Sequence, residues 1–142
     1  NADDIDWIMR AVDSTANGLT LCAGSLGANP SNDVPAIAET HADRIHFAHL
    51  RNVHKDPDGA FEEAAHLEGD TDMVALIKVL LAEEKRRRDT GRADHSIPFR
   101  PDHGHELLTD IGQGTYPGYP MIGRLRGLAE LRGVIAALTH GV

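Results

Sequence analysis

Ile97-Pro98-Phe99-Arg100-Pro101-Asp102-His103-Gly104-His105 is a short apolar run that breaks into an acid and two imidazoles. These are the commonest proton-transfer and metal-binding groups. A strand ending in such a cluster delivers reactive side chains at its carboxyl end, where barrel and open-sheet α/β enzymes build their sites. The stretch therefore predicts a parallel α/β fold and an enzyme.

Two other stretches repeat the arrangement. Gly18-Leu19-Thr20-Leu21 is an extended apolar run that stops at Cys22, before the glycine-rich turn Ala23-Gly24-Ser25-Leu26-Gly27. Ile45-His46-Phe47-Ala48 runs into His49, followed by Leu50-Arg51-Asn52. Each predicted strand thus brings a possible metal ligand to its end: Cys22, His49 and Asp102. Singly, each has a plainer reading, since free cysteine is usually a buried apolar residue and an acid at 102 suits a helix cap. At three equivalent strand ends they read as one set. Thiolate and imidazole suit zinc or iron, whereas the carboxylate also accepts manganese, so the residue types leave the metal open. His46 is expected to be structural, and His54, His66 and His95, in predicted loops, to be exposed. Gly24 and Gly27 lack the lysine and spacing of a nucleotide cradle.

Helical patterns separate the strands. Ile5, Ile8, Met9 and Val12 share one helix face, with Asp3 and Asp4 at its positive end. Asp33-Val34-Pro35 opens a second helix, with proline in the first turn. Met73, Leu76, Ile77, Leu80 and Leu81 line a third, which ends in the solvated cations Lys85-Arg86-Arg87-Arg88. Met121, Ile122, Leu125, Leu128 and Leu131 stripe a fourth, in which Gly127 and Gly133 imply close packing. Residues 55–70 and 89–96 read as loops. The order α-β-α-β-α-β-α implies parallel strands joined by right-handed crossovers. Three strands would leave their edges unpaired and one face uncovered. The expectation is the C-terminal part of a longer (β/α) protein, or a chain whose partners come from another molecule.

Composition narrows the function classes. The 142 residues suffice for one domain with a core, at an apolar fraction of 41%. A net charge of -8 argues against nucleic acid, whose phosphates call for clustered cations. A single cysteine forms no internal disulfide, and no apolar run of about 18 residues offers a membrane span. A cytoplasmic protein is the default expectation.

The strand-end motifs, together with Pro117-Gly118-Tyr119 and the tail Ile122-Gly123-Arg124-Leu125-Arg126-Gly127-Leu128-Ala129-Glu130-Leu131-Arg132-Gly133, resemble the C-terminal half of the D-mannonate dehydratases. The resemblance implies a xylose-isomerase-like (β/α)8 TIM barrel. Residues 1–142 would form a single partial domain containing its last three strands, with the N-terminal half absent. It implies conversion of D-mannonate to 2-keto-3-deoxy-D-gluconate in hexuronate (glucuronate) catabolism, with Mn²⁺ or Fe²⁺ as cofactor. Cys22, His49 and Asp102 would be metal ligands, with a further histidine ligand on an earlier strand outside this chain. His103 and Tyr119 would transfer protons, without a division into base and acid. Arg51 and Asn52 would bind the substrate's carboxylate and hydroxyls, and His105 would be a metal ligand, a substrate contact or a hydrogen-bond partner of a ligand. The partners implied are the sugar acid and either identical subunits or the missing barrel half.

The chemistry is consistent with those groups. Dehydrating a 2,3-dihydroxy acid removes a weakly acidic proton beside a carboxylate, which calls for nearby positive charge, a base, and an acid for the departing hydroxyl. Two alternatives use the same residues differently: a metal-dependent sugar isomerase or epimerase on the same barrel, and a noncatalytic βα fragment acting in assembly.

Overall fold

In the computed structural model, which describes residues 1–141, the helix signals near the N-terminus are realised as capping. Helix α1 (Ala2–Ala11) opens on a capping box in which the Asn1 side chain accepts from the Asp4 amide at 3.1 Å. Strand β1 (Leu19–Cys22) leads directly into a short helix α2 (Ala23–Gly27), so the glycine-rich stretch expected to be a turn is helical. Helix α3 (Val34–Thr40) is capped by Asp33, whose carboxylate accepts from the Ala36 amide at 3.0 Å. A single 3-10 turn, Ala42–Arg44, feeds strand β2 (Ile45–His49).

The stretch expected to be a loop after β2 contains an antiparallel hairpin, β3 (Asn52–Lys55) and β4 (Phe61–Ala64). Its turn is set by Gly59 at φ 92° and by the Asp58 side chain, which accepts from the Ala60 amide at 3.0 Å. Asn52 is 1% exposed and holds the base of the hairpin. Its amide nitrogen donates to the carbonyls of His66 and Thr71, and its oxygen accepts from the amides of Val53 and Thr71. Helix α4 (Met73–Asp89), capped by Asp72, precedes the two-residue strand β5 (Phe99–Arg100), and helix α5 (Met121–His140) closes the described chain.

The main sheet has the order β1-β2-β5 and is entirely parallel, as the alternation of strands and helices predicted. Leu21 pairs with Ala48, and both are buried in a core with Ala38, Leu76, Ile77 and Leu131. On the opposite face of the sheet, Thr20 is exposed, and Phe47 and His49 are only half-buried. The sheet therefore packs against helices on one face and leaves the other open.

Helix α5 is rotated from its expected stripe. Gly123, Gly127 and Leu131 are its buried positions, whereas Met121 is 68% and Leu125 56% exposed. The glycines explain the rotation: a Cβ on Gly123 would meet the His105 backbone, and one on Gly127 would meet the His66 ring. Gly133 faces open space, so close packing does not explain it. His66, expected to be exposed, is buried and bonds through Nε2 to the Pro101 carbonyl at 2.8 Å. His46 is structural as expected, with Nε2 2.9 Å from the Thr15 carbonyl.

Candidate active site

Register brings the strand-end residues together. Cys22 lies opposite His49 in the β1-β2 ladder, and His49 lies opposite Arg100 in the β2-β5 ladder. Paired positions in a sheet share a face, so the thiol and the imidazole project side by side. Two residues beyond Arg100 the chain turns sharply at Asp102, whose φ of 70° is in the left-handed region. Aspartate tolerates that region better than most residues. The turn leaves Asp102 5% exposed, at the edge of the same cluster.

One ligand atom each from Cys22, His49 and Asp102 lie within 4.8 Å of one another. His49 Nδ1 and Asp102 Oδ2 are 3.7 Å apart, too long for a hydrogen bond. It matches the chord of roughly 3.5 Å between two ligands of one ion at ordinary metal–ligand distances. Each donor is prepared for the task. Cys22 Sγ accepts from the Ser25 amide at 3.5 Å and the Ser25 hydroxyl at 3.1 Å. Burial lowers the His49 pKa; Asp102 opposes this, and the positive fields of Arg100 and His103 add to it, leaving His49 below its ordinary value. The neutral imidazole is the metal-binding form. Arg100 Nη2 donates to Asp102 Oδ1 at 2.8 Å, and Arg124 Nε to the Asp102 carbonyl at 3.1 Å. The set fits a divalent ion that takes mixed sulfur, nitrogen and oxygen ligands.

Beside this cluster, His103 Nε2 lies 3.0 Å from the Tyr119 hydroxyl, and the two rings meet edge to face with centroids 4.9 Å apart. Tyr119 is set by its turn, its amide donating to the Tyr116 carbonyl at 2.9 Å, and the Arg124 guanidinium lies over its ring at 5.4 Å. The pair can exchange a proton directly.

Glu63, on β4, was not anticipated from the sequence. His103 Nδ1 lies 2.8 Å from its Oε1, and Arg51 donates to both of its oxygens, Nε reaching Oε2 at 2.9 Å. Burial pushes the Glu63 carboxyl up, but hydrogen bonds from Arg51 and His103 and their charges outweigh it, so its pKa lies below the ordinary glutamate value. The available signal was the turn sequence Asp56-Pro57-Asp58-Gly59 alone, since of the residues in the flanking strands only Val53 and Phe61 are strong strand formers.

The other expected substrate contacts are placed differently. Arg51 reaches the site, but Nε and Nη2 are engaged by Glu63, and Nη1 has no hydrogen-bond partner among the described residues. Asn52 does not reach it: its whole amide is spent on backbone groups beneath the hairpin, so its expected role as a substrate contact is corrected to a structural one. His105 uses Nε2 to hold the Glu63 carbonyl at 2.8 Å, which ties the Asp102–His105 segment to β4.

A family model described as D-mannonate dehydratase (UxuA) matches residues 1–142. A mannonate dehydratase of Rhizobium meliloti is 59% identical over 143 residues, covering 99% of this chain and 36% of the relative. Mannonate dehydratase 1 of Agrobacterium fabrum is 60% identical over 141 residues, covering 97% of this chain and 35% of the relative. The crystal structure of mannonate dehydratase from Streptococcus suis serotype 2 superposes with a TM-score of 0.82 at 33% identity, over 99% of this chain and 38% of that one. The chain thus spans about a third of the length of the curated relatives it matches.

Proposed function

Since this chain belongs to the D-mannonate dehydratase family, we propose that it supplies the metal-binding and proton-transfer residues for dehydrating D-mannonate to 2-keto-3-deoxy-D-gluconate. The observation that carries the reading is the convergence of Cys22, His49 and Asp102 beside the bonded pair His103–Tyr119. In the same reading, residues 1–142 form one partial domain, the last βα units of a (β/α)8 barrel. The open face of the sheet would be the barrel interior, closed by the rest of the protein or a partner subunit. A cytoplasmic setting belongs to the same proposal. Among the described residues, no helix is long and apolar enough to cross a membrane.

Cys22, His49 and Asp102 would hold Mn²⁺ or Fe²⁺. When bound, such an ion supplies positive charge that offsets the negative charge developing on the substrate carboxylate. The chain's own residues do the rest. Nη1 of Arg51 offers two N–H donors to a carboxylate oxygen. Of His103 and Tyr119, one removes the proton from the carbon beside the carboxylate and the other gives a proton to the departing hydroxyl on the next carbon. Afterwards the base holds an extra proton and the acid lacks one. The 3.0 Å contact between His103 Nε2 and the Tyr119 hydroxyl allows that proton to pass across and restore both groups. The enol product then rearranges to the 2-keto acid.

The test uses a full-length form of the protein supplied with Mn²⁺ and D-mannonate. We expect a 2-keto-3-deoxy acid as product, and loss of about 10²-fold or more in rate in Cys22→Ala, Asp102→Asn and His103→Asn. Conversion of D-mannonate only to an isomeric sugar acid would reject dehydration. With Co²⁺ as probe, a thiolate-to-metal absorption band that disappears in Cys22→Ala checks the ligand set without relying on turnover.

A further inference from the structure

Glu63 contacts the machinery three times over. Its Oε1 receives His103 Nδ1 at 2.8 Å, its carboxylate takes two bonds from Arg51, and its backbone carbonyl accepts from His105 Nε2 at 2.8 Å. It stands on a hairpin outside the parallel sheet, so the strands that carry the other site residues do not themselves hold the His103 ring.

The consequence for His103 follows from donor and acceptor identity. An ionised carboxylate only accepts hydrogen bonds, and the arginine at its other side only donates. The hydrogen between Glu63 and His103 must therefore sit on Nδ1. In the neutral ring that leaves Nε2 as a lone pair, aimed at the Tyr119 hydroxyl 3.0 Å away. The close turn that carries Tyr119 requires Gly118: its φ is 82°, and a Cβ there would lie 3.4 Å from His103 Cγ. The ring is thus held by Glu63 on one nitrogen, by Tyr119 on the other, and by the turn against its face.

We propose that Glu63 is a positioning residue for the dehydration, fixing the tautomer and ring plane of His103 toward Tyr119 while anchoring the Arg51 guanidinium beside the site. The inference rests on the proton-transfer reading of His103 and Tyr119 given above. Glu63 does not itself touch the reacting atoms; it acts through the imidazole and the guanidinium. The arrangement of carboxylate, imidazole and hydroxyl has the logic of an acid orienting a histidine base toward a hydroxyl partner.

The test compares wild type with Glu63→Leu and Glu63→Gln in the full-length, Mn²⁺-loaded protein. In E63L, kcat should fall about 10²–10⁴-fold, the range expected when a histidine loses the group that sets its tautomer, while KM changes by less than about tenfold. E63Q keeps one acceptor oxygen and should recover at least about tenfold of the loss. Histidine ¹⁵N–¹H long-range correlation spectra of the chelated, diamagnetic protein read the tautomer independently of turnover, with the His103 signal identified by its absence in His103→Asn. The wild type should show the proton on Nδ1, and E63L a mixture of tautomers. Glu63→Ser carries the same expectations and replaces E63L if the leucine variant does not fold, as judged by circular dichroism. An E63L or E63S variant that keeps both wild-type kcat and the Nδ1 proton would overturn the proposal. If the wild type itself fails to dehydrate D-mannonate, the dehydration reading falls, and the tautomer spectra still decide whether Glu63 sets His103.

Discussion

Arg87 carries a guanidinium to 1% exposure, against the expectation that the basic run at the end of α4 is solvated. Each of its three nitrogens is bonded: Nη2 donates to the carbonyls of Ala42 at 2.9 Å and Ile45 at 2.8 Å, Nη1 to that of Asp94 at 3.2 Å, and Nε to the Glu83 carboxylate at 2.7 Å. It thereby ties α4 to the entry of β2, at the end of the sheet away from the candidate site. Arg87→Met should destabilise the fold by about 3 kcal/mol or more in urea titrations, because it strips a partner from a buried carboxylate and leaves buried carbonyls unpaired. Hydrogen bonds from Arg86 hold the Glu83 carboxyl below its ordinary range; burial opposes this and Arg87 adds to it. A depressed folded-state pKa contributes stability above the unfolded carboxylate value, and that stability is lost as the pH falls through the folded value. Glu83→Gln should therefore flatten the fall in stability below the ordinary glutamate range, measured as urea midpoints against pH.

At the scale of elements, α5 shows two glycines of opposite meaning. Gly127 gives the His66 ring its place, whereas Gly133 has nothing near the position of a Cβ. Gly133→Ala should stabilise the protein by about 0.5–1 kcal/mol through helix propensity alone. Gly127→Ala should destabilise it despite the same propensity gain, because the added methyl displaces a buried, hydrogen-bonded imidazole. Thermal unfolding of the two variants, showing midpoints moved in opposite directions, checks the pair. The start of α5 is organised from a distance. Pro120 offers no side-chain cap, so Asp110 accepts from the amides of Ile122 at 3.1 Å and Gly123 at 2.9 Å. The hairpin β3-β4 is likewise held from below by Asn52, whose single buried amide makes four backbone contacts.

At the scale of the molecule, the three-stranded sheet ends in β1 and β5, neither of which has a second partner strand among the described residues. Its face away from the helices is open, and Trp7, Ile8 and Val12 on and beside α1 are exposed. Unpaired strand edges and uncovered apolar surface favour association. The 142-residue chain alone is expected to sediment as more than a monomer and to bind an apolar dye, with both effects reduced in a full-length form. A well-behaved, dye-free monomer in analytical ultracentrifugation would count against a barrel completed by other chain segments.

The alternation of the three parallel strands with the longer helices and the identity of the strand-end residues were legible in the chain itself, whereas α2 and the β3-β4 hairpin were not. Apolar runs, caps such as Asp33 and Asp72, and turn residues act over a few positions, and a local pattern expresses local physics. The family motifs carried the candidate ligands Cys22, His49 and Asp102 and the pair His103 and Tyr119. Only the folded chain could decide which side chains reach the site. Asn52 and Arg51 are neighbours in sequence, yet one is spent beneath a hairpin while the other pairs with Glu63, 12 residues away. Glu63 meets His103 across 40 residues, Arg87 reaches Ile45 across 42, and the face that α5 buries is chosen by a ring and a backbone it meets only after folding. Such pairings depend on register and on which surfaces the packed core brings together, and no short window of sequence contains both partners.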